Sequence, residues 1–125
     1  MDCFVVQDWV TVRTPSGATS ITQSEHAWLD LHDYRDVVLW TEVKEYTPGG
    51  GTSTLTYQTC SSQDDSLFMN IANIAATVGV TATTVHRATA TVPLGRWLRW
   101  HLQVSGASST TDLTFRVWVA VMKDR

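Results

Sequence analysis

Apolar and polar side chains alternate most clearly at the C-terminal end of the chain. Between Arg96 and Val104, Leu98, Trp100, Leu102 and Val104 share one parity, while Trp97, Arg99, His101 and Gln103 share the other. Between Asp112 and Met122 the same period of two sets Leu113, Phe115, Val117, Val119 and Val121 against Thr114, Arg116, Trp118, Ala120 and Met122. A period of two marks a strand with one buried face. Both segments are therefore read as half-buried strands, with Leu98, Trp100, Leu102, Phe115, Val117 and Val119 in the core. The Ser/Gly/Thr stretch 105–111 is long enough for a hairpin or for a crossing between sheets. Pairing of the two strands would set Arg99 beside Trp118, close enough to stack.

The same period recurs upstream. Val37, Leu39, Thr41 and Val43 alternate with Trp40, Glu42, Lys44 and Tyr46. Beyond the breaker Thr47-Pro48-Gly49-Gly50-Gly51, Leu55, Tyr57 and Thr59 alternate with Thr54, Thr56 and Gln58, so the two runs are expected to form a hairpin. Cys3 to Arg13 reads as a first strand closed by Pro15-Ser16-Gly17, and its alternation slips at Gln7-Asp8, which predicts a bulge. Residues 18–36 have no clean period and read as a packed loop with a short strand or a turn of helix. Ser62 to Asp65 form a helix start ahead of an apolar face of Leu67, Phe68, Ile71 and Ile74. Residues 81–92 read as a small-residue strand closed by Pro93, suited to close sheet packing or to contact with another chain.

Composition sharpens this into a fold class. The 125 residues are 43% hydrophobic and 17% charged, within the range of one globular domain spanning 1–125. With 19 Thr and 15 Val against 3 Ile and 3 Pro, the chain favours pleated strands over helices. The expectation is an all-β protein, an antiparallel two-sheet sandwich with jelly-roll-like connections. A small closed barrel or an immunoglobulin-like sandwich is the alternative. No stretch reaches the roughly 18 apolar residues of a membrane span. Met1-Asp2-Cys3 opens with neither the basic nor the apolar region of a secretion signal, so a soluble protein of cytoplasmic origin is expected. Cys3 and Cys60 lack CxxC spacing and are expected to be reduced and mostly buried thiols.

Net charge is −3, but it is unevenly distributed. Residues 1–65 carry three cations against ten carboxylates, a net of −7; residues 66–125 carry six against two, a net of +4. Acidic and basic strands that interleave in one domain would account for this. So would opposed surface patches suited to self-association or to docking on a charged protein lattice.

Candidate chemistry is sparse. His26 and His32 flank Asp30 and precede Asp33, but their spacing fits no common zinc or iron motif, and they read as loop histidines beside acidic neighbours. GxSxG, HExxH and GxGxxG are all missing. The glycine run 49–51 lacks the GxxxxGK[ST] spacing and precedes a strand, not a helix. No enzyme activity, metal or cofactor is expected. Arg96-Trp97-Leu98-Arg99-Trp100 interleaves cations with aromatics as single-strand nucleic-acid binders do, but the strand period splits the set between two faces of an acidic domain. Nucleic acid is not an expected partner.

What remains is the outward parity itself. Trp97, Arg99, His101, Arg116, Trp118 and Trp40, with Tyr46 beside them, combine Trp and Arg as interface hot spots do. They are the candidate protein-interface residues, unless a loop such as 18–36 covers them within the same chain. The closing pattern Pro93-Leu94-Gly95-Arg96-Trp97-Leu98-Arg99-Trp100 with Leu113-Thr114-Phe115-Arg116-Val117 resembles the last strands of discoidin-like jelly rolls. The resemblance spans about 30 residues and lacks those domains' flanking disulfide. In size, Thr/Val richness and cytoplasmic character the chain is also similar to the small jelly-roll cement or decoration proteins of tailed-phage capsids. That resemblance implies a virion protein, made in the host cytoplasm, that forms homo-oligomers and binds a viral capsid protein. The rival expectation is a sugar-binding module with Trp97 and Trp118 as stacking platforms beside Arg99, His101 and Gln103.

Overall fold

The computed structural model describes residues 2–32, 34–71, 77–79, 84–89 and 94–123. Ten strands are present among them: β1 (Asp2–Thr14), β2 (Gly17–Thr22), β3 (Leu29–Asp30), β4 (Tyr34–Thr47), β5 (Thr52–Cys60), β6 (Met69–Asn70), β7 (Thr77–Gly79), β8 (Thr84–Thr89), β9 (Trp97–Ala107) and β10 (Thr111–Lys123). Sheet A runs β1-β10-β4-β8, and sheet B runs β2-β9-β5-β6, with β3 also on β9 and β7 also on β5. Every pairing is antiparallel.

Four of the pairings are nested: β1 takes β10, β2 takes β9, β4 takes β8 and β5 takes β7. Successive pairs fall in sheets A, B, A and B. One long antiparallel hairpin is thus wrapped so that its rungs alternate between two layers, which is the jelly-roll form of the sandwich. The inward parities expected from sequence supply the core between the layers. Leu98, Trp100, Leu102, Phe115, Val117 and Val119 are all buried, together with Val37, Leu39, Val43, Leu55 and Tyr57. Trp100 meets Phe115 edge-on across the two sheets, with centroids 5.1 Å apart. Its indole N–H donates to Gln7 Oε1 at 3.0 Å, which satisfies the polar atom that so large a buried ring brings with it. The Tyr57 hydroxyl is hydrogen-bonded to Thr41 Oγ1, and burial drives its pKa far above the ordinary phenol value, so it stays neutral.

Several local expectations are corrected by this topology. The Gly-rich loop does not close the expected hairpin, since 47–52 carries the chain from sheet A to sheet B; of the two courses open to the Ser/Gly/Thr loop, 107–111 takes the crossing back to sheet A. The two crossings pack on each other. Gly49 donates its N–H to Thr111 Oγ1 at 3.2 Å and accepts from Ser108 N at 2.7 Å. A Cβ on Gly49 would lie 2.1 Å from the Ser109 carbonyl oxygen, and Gly50 has φ +93°. The glycine run therefore serves close backbone approach.

Over the described part of the expected helix there is only a 3₁₀ turn, Asp65–Leu67, in which the Ser66 N–H (2.9 Å) and hydroxyl (2.7 Å) both donate to the Asp64 carboxylate. Met69 and Asn70 then pair with β5, because ladder hydrogen bonds at a sheet edge outcompete a short helix of weak propensity. Ile74 lies outside the described residues, as do 81–83 and 90–93 of the small-residue strand. The bulge expected near Gln7-Asp8 is present as register shifts on β1. A second one at Thr114/Phe115 on the β10–β4 ladder turns Tyr46 inward, where its hydroxyl donates to Ser53 Oγ at 2.9 Å. Both cysteines are free thiols; Cys60 is buried but Cys3 is exposed.

Candidate functional site

The six candidate interface residues divide between the two outer faces. Trp40, Arg116 and Trp118 stand on sheet A; Trp97, Arg99 and His101 stand on β9 of sheet B. Arg99 therefore does not stack on Trp118. Its strand pairs with β2 and β5, while Trp118 is flanked by Val5 of β1 and Trp40 of β4.

On sheet A the pleat places Trp118 directly across from Trp40, and Arg116 across from Glu42. The Arg116 Nε donates to Glu42 Oε2 at 2.8 Å, and the guanidinium lies 4.6 Å from the Trp9 ring and 5.2 Å from the Trp118 ring. Lys44 adds a second cation 5.8 Å from Trp9. Each such contact contributes about 0.5–1 kcal/mol at an exposed site, so together they fix ring orientation more than they stabilise the fold. The face remains open: Val5 is 43% exposed, Trp9 42% and Met122 43%. On the same sheet a shallow pocket of about 410 Å³ is lined by Cys3, Trp40, Glu42, Trp118 and Val119. On this exposed aromatic surface the Arg116 guanidinium is already paired with Glu42.

Sheet B differs because the chain covers it. Arg99 is only 5% exposed. Its Nε donates to Gln58 Oε1 at 2.8 Å, its Nη1 pairs with Asp65, and its guanidinium lies 3.9 Å from the Phe68 ring and 5.3 Å from the Trp28 ring. Trp28 and Phe68 meet edge-on at 4.7 Å, and the buried Trp28 indole donates to the Gln23 carbonyl at 2.8 Å. Arg99 is thus an internal anchor for two overlying segments, and the expectation that it faces solvent fails. Trp97 is half-buried, with Arg96 stacked on it at 5.2 Å and Arg96 in turn paired with Asp30. His101 is also half-buried; burial and then Arg99 hold its pKa below the ordinary imidazole value, while Asp65 acts in the opposite sense.

Of the residues that shape these faces, Trp9 and Trp28 were not singled out by sequence reasoning, and Phe68 was expected only on the apolar face of a short helix. Trp9 sits just past the β1 bulge, where parity changes, and Trp28 lies in the stretch without a period. Phe68 is placed by pairing of the following residues with β5. The charge asymmetry is met in part within the chain. Arg96–Asp30, Arg99–Asp65 and Arg116–Glu42 each join a second-half cation to a first-half carboxylate, and Arg13–Asp112 reverses the sense. His26 and His32 are exposed. Among the described residues no group of three or more His, Cys, Asp or Glu is placed to hold a metal ion, and no helix is long and apolar enough to cross a membrane.

The strand order and the nested pairing define the chain as a jelly-roll-like β-sandwich. No family model matches it, and no curated protein does. Among solved structures it is similar to a chain of infectious bursal disease virus, Gx strain, with a TM-score of 0.54 and 11% identity. The match covers 94% of this chain and 32% of that one, so this protein spans about a third of the viral chain's length. At that identity the likeness is one of fold.

Proposed function

We propose that the protein is a non-enzymatic structural component of a virion, which self-associates and binds a larger protein shell as a capsid cement or decoration protein. The observation that carries this reading is the outer face of sheet A, where Trp9 and Trp118 flank an Arg116 already paired with Glu42, Trp40 stands across from Trp118, and all three rings are left at least partly exposed by the described residues. The likeness in fold to a chain from a virus supports the setting, as does the small all-β domain. The contact set narrows from the sequence expectation to Trp9, Trp40, Arg116 and Trp118, because Arg99 is committed to its own chain.

Truncating both Trp40 and Trp118 to alanine is expected to spare folding, since both rings are partly exposed on the far side of the sheet from the core. It is expected to shift light scattering from oligomer to monomer and to abolish binding to shells. Raised salt should weaken assembly only slightly, because the central cation is already paired within the chain. A wild-type protein that is monomeric at all concentrations and gives a saturable tryptophan fluorescence change with a glycan would instead support a sugar-binding module. Its platform would then be Trp40 and Trp118, since Trp97 is on the opposite face.

A further inference from the structure

Between Val5, which pairs with Trp118, and Thr11, which pairs with Thr114, β1 holds five residues where β10 holds three. An unbroken ladder running on from Val5 would set Gln7 across from Arg116 on the outer face and Trp9 across from Thr114. The two extra residues undo both placements. Gln7 pairs instead with the buried Val117 and turns inward, while Val10 pairs with Phe115. Trp9 is thereby brought level with Arg116, its ring 4.6 Å from the guanidinium. The insert decides which side chain of β10 this ring meets.

Two glutamine side chains hold the insert from the core side. Gln23, only 2% exposed, donates from Nε2 to the Val6 carbonyl and to the Ala27 carbonyl, each at 2.9 Å, and its Oε1 accepts from the Trp100 N–H at 3.3 Å. Both protons and the oxygen of the buried amide are thus engaged. Its backbone is fixed as well, the N–H donating to the Trp100 carbonyl at 3.1 Å and the carbonyl accepting from the Trp28 indole at 2.8 Å. Gln7 Oε1 accepts from the Trp100 indole at 3.0 Å, and its Nε2 donates to the Asp8 carbonyl at 2.9 Å. The Trp9 N–H then donates to the Asp8 carboxylate at 2.8 Å. Both glutamines are anchored on Trp100, a core residue of the opposite sheet, so the insert takes its position from the core and not from its own exposed edge.

We propose that Gln7 and Gln23 are positioning residues for the outer face of sheet A: they clamp the β1 insert and so set Trp9 over Arg116. Without their amides the insert loses the bonds that draw it inward, and the ring leaves the guanidinium. The consequence for assembly rests on the contact role proposed for sheet A; the clamp itself does not. A ring already held in one orientation enters a contact at a smaller ordering cost than a mobile one, so loosening the clamp weakens self-association without removing any side chain from the contact.

The test is fluorine NMR of dilute protein carrying 5-fluorotryptophan, with the Trp9 and Trp40 resonances assigned by their loss in Trp9→Phe and Trp40→Phe. In the wild-type background Arg116→Gln is expected to shift the Trp9 resonance, because it takes the guanidinium off the ring. Gln23→Met and Gln7→Met keep side-chain length but remove the amide. In each, the Trp9 resonance should move toward that of an unstructured chain and stop responding to Arg116→Gln, while the Trp40 resonance on β4 holds its place. Gln7 is only half-buried, so its variant reads the clamp even where loss of Gln23 prevents folding. Light scattering should show self-association weakened several-fold in both variants. A Trp9 resonance that keeps its wild-type position and its response to Arg116→Gln in either folded variant would overturn the clamp. Displacement of Trp9 with unchanged self-association would uphold the clamp and overturn the contact role of sheet A instead.

Discussion

Replacing Phe115 with alanine is expected to cost about 3–5 kcal/mol of stability, a large share of the roughly 5–15 kcal/mol that holds a domain of this kind together. Phe115 has no accessible surface, lies on the central β10 strand and fills the gap between sheets against the edge of Trp100. Neighbours on β-strands cannot collapse into the space it leaves without breaking ladder hydrogen bonds, so a cavity remains. Trp100→Ala should fall in the same range and also strand Gln7 Oε1. Urea denaturation reads both. A midpoint close to wild type for either variant would mean that the inside and outside of these strands are exchanged, as a one-residue register slip would produce.

The second large effect separates two arginines that look equivalent on the outward parity. Arg99→Ala should cost about 2–3 kcal/mol, because it removes charge-assisted hydrogen bonds at a buried site together with the stacking of Phe68 and Trp28. The loss stays below that of breaking a fully buried pair, since the abandoned Asp65 is already hydrated. Arg116→Ala should change stability by no more than about 1 kcal/mol, its pair with Glu42 being partly exposed on both sides. Thermal melts of the two variants make the comparison. Equal losses would mean that sheet B is not strapped as described.

This contrast also marks where sequence reasoning reaches its limit. The parity of β9 and β10 was legible, because one-sided burial imposes a period of two on each strand separately. Which strands pair was not, because Leu98 and Phe115 carry the same signal whether their strands are neighbours or face each other across the core. The Ser/Gly/Thr loop fits either case, and only the full nesting of four pairs decides for a crossing. Arg99 and Arg116 likewise share parity, residue type and aromatic company. What buries one of them is Phe68 and Asp65, more than thirty positions away in the chain. The β1 slip at Gln7-Asp8 was visible as a broken alternation, but its consequence, Trp9 lying over Arg116, depends on β10 being alongside.

The proposed self-contact through sheet A is tested most directly by the thiol that the sequence left unassigned. Cys3 is exposed at the edge of the Trp40–Trp118 pocket, while Cys60 is buried and serves as the unreactive control. Maleimide labelling of Cys3 should proceed freely in dilute protein and slow sharply as chain concentration rises, with Trp40→Ala/Trp118→Ala restoring the dilute rate throughout. Labelling of Cys3 at one rate across the whole concentration range, in protein that light scattering shows to be oligomeric, would place the contact elsewhere and contradict the role assigned to this face.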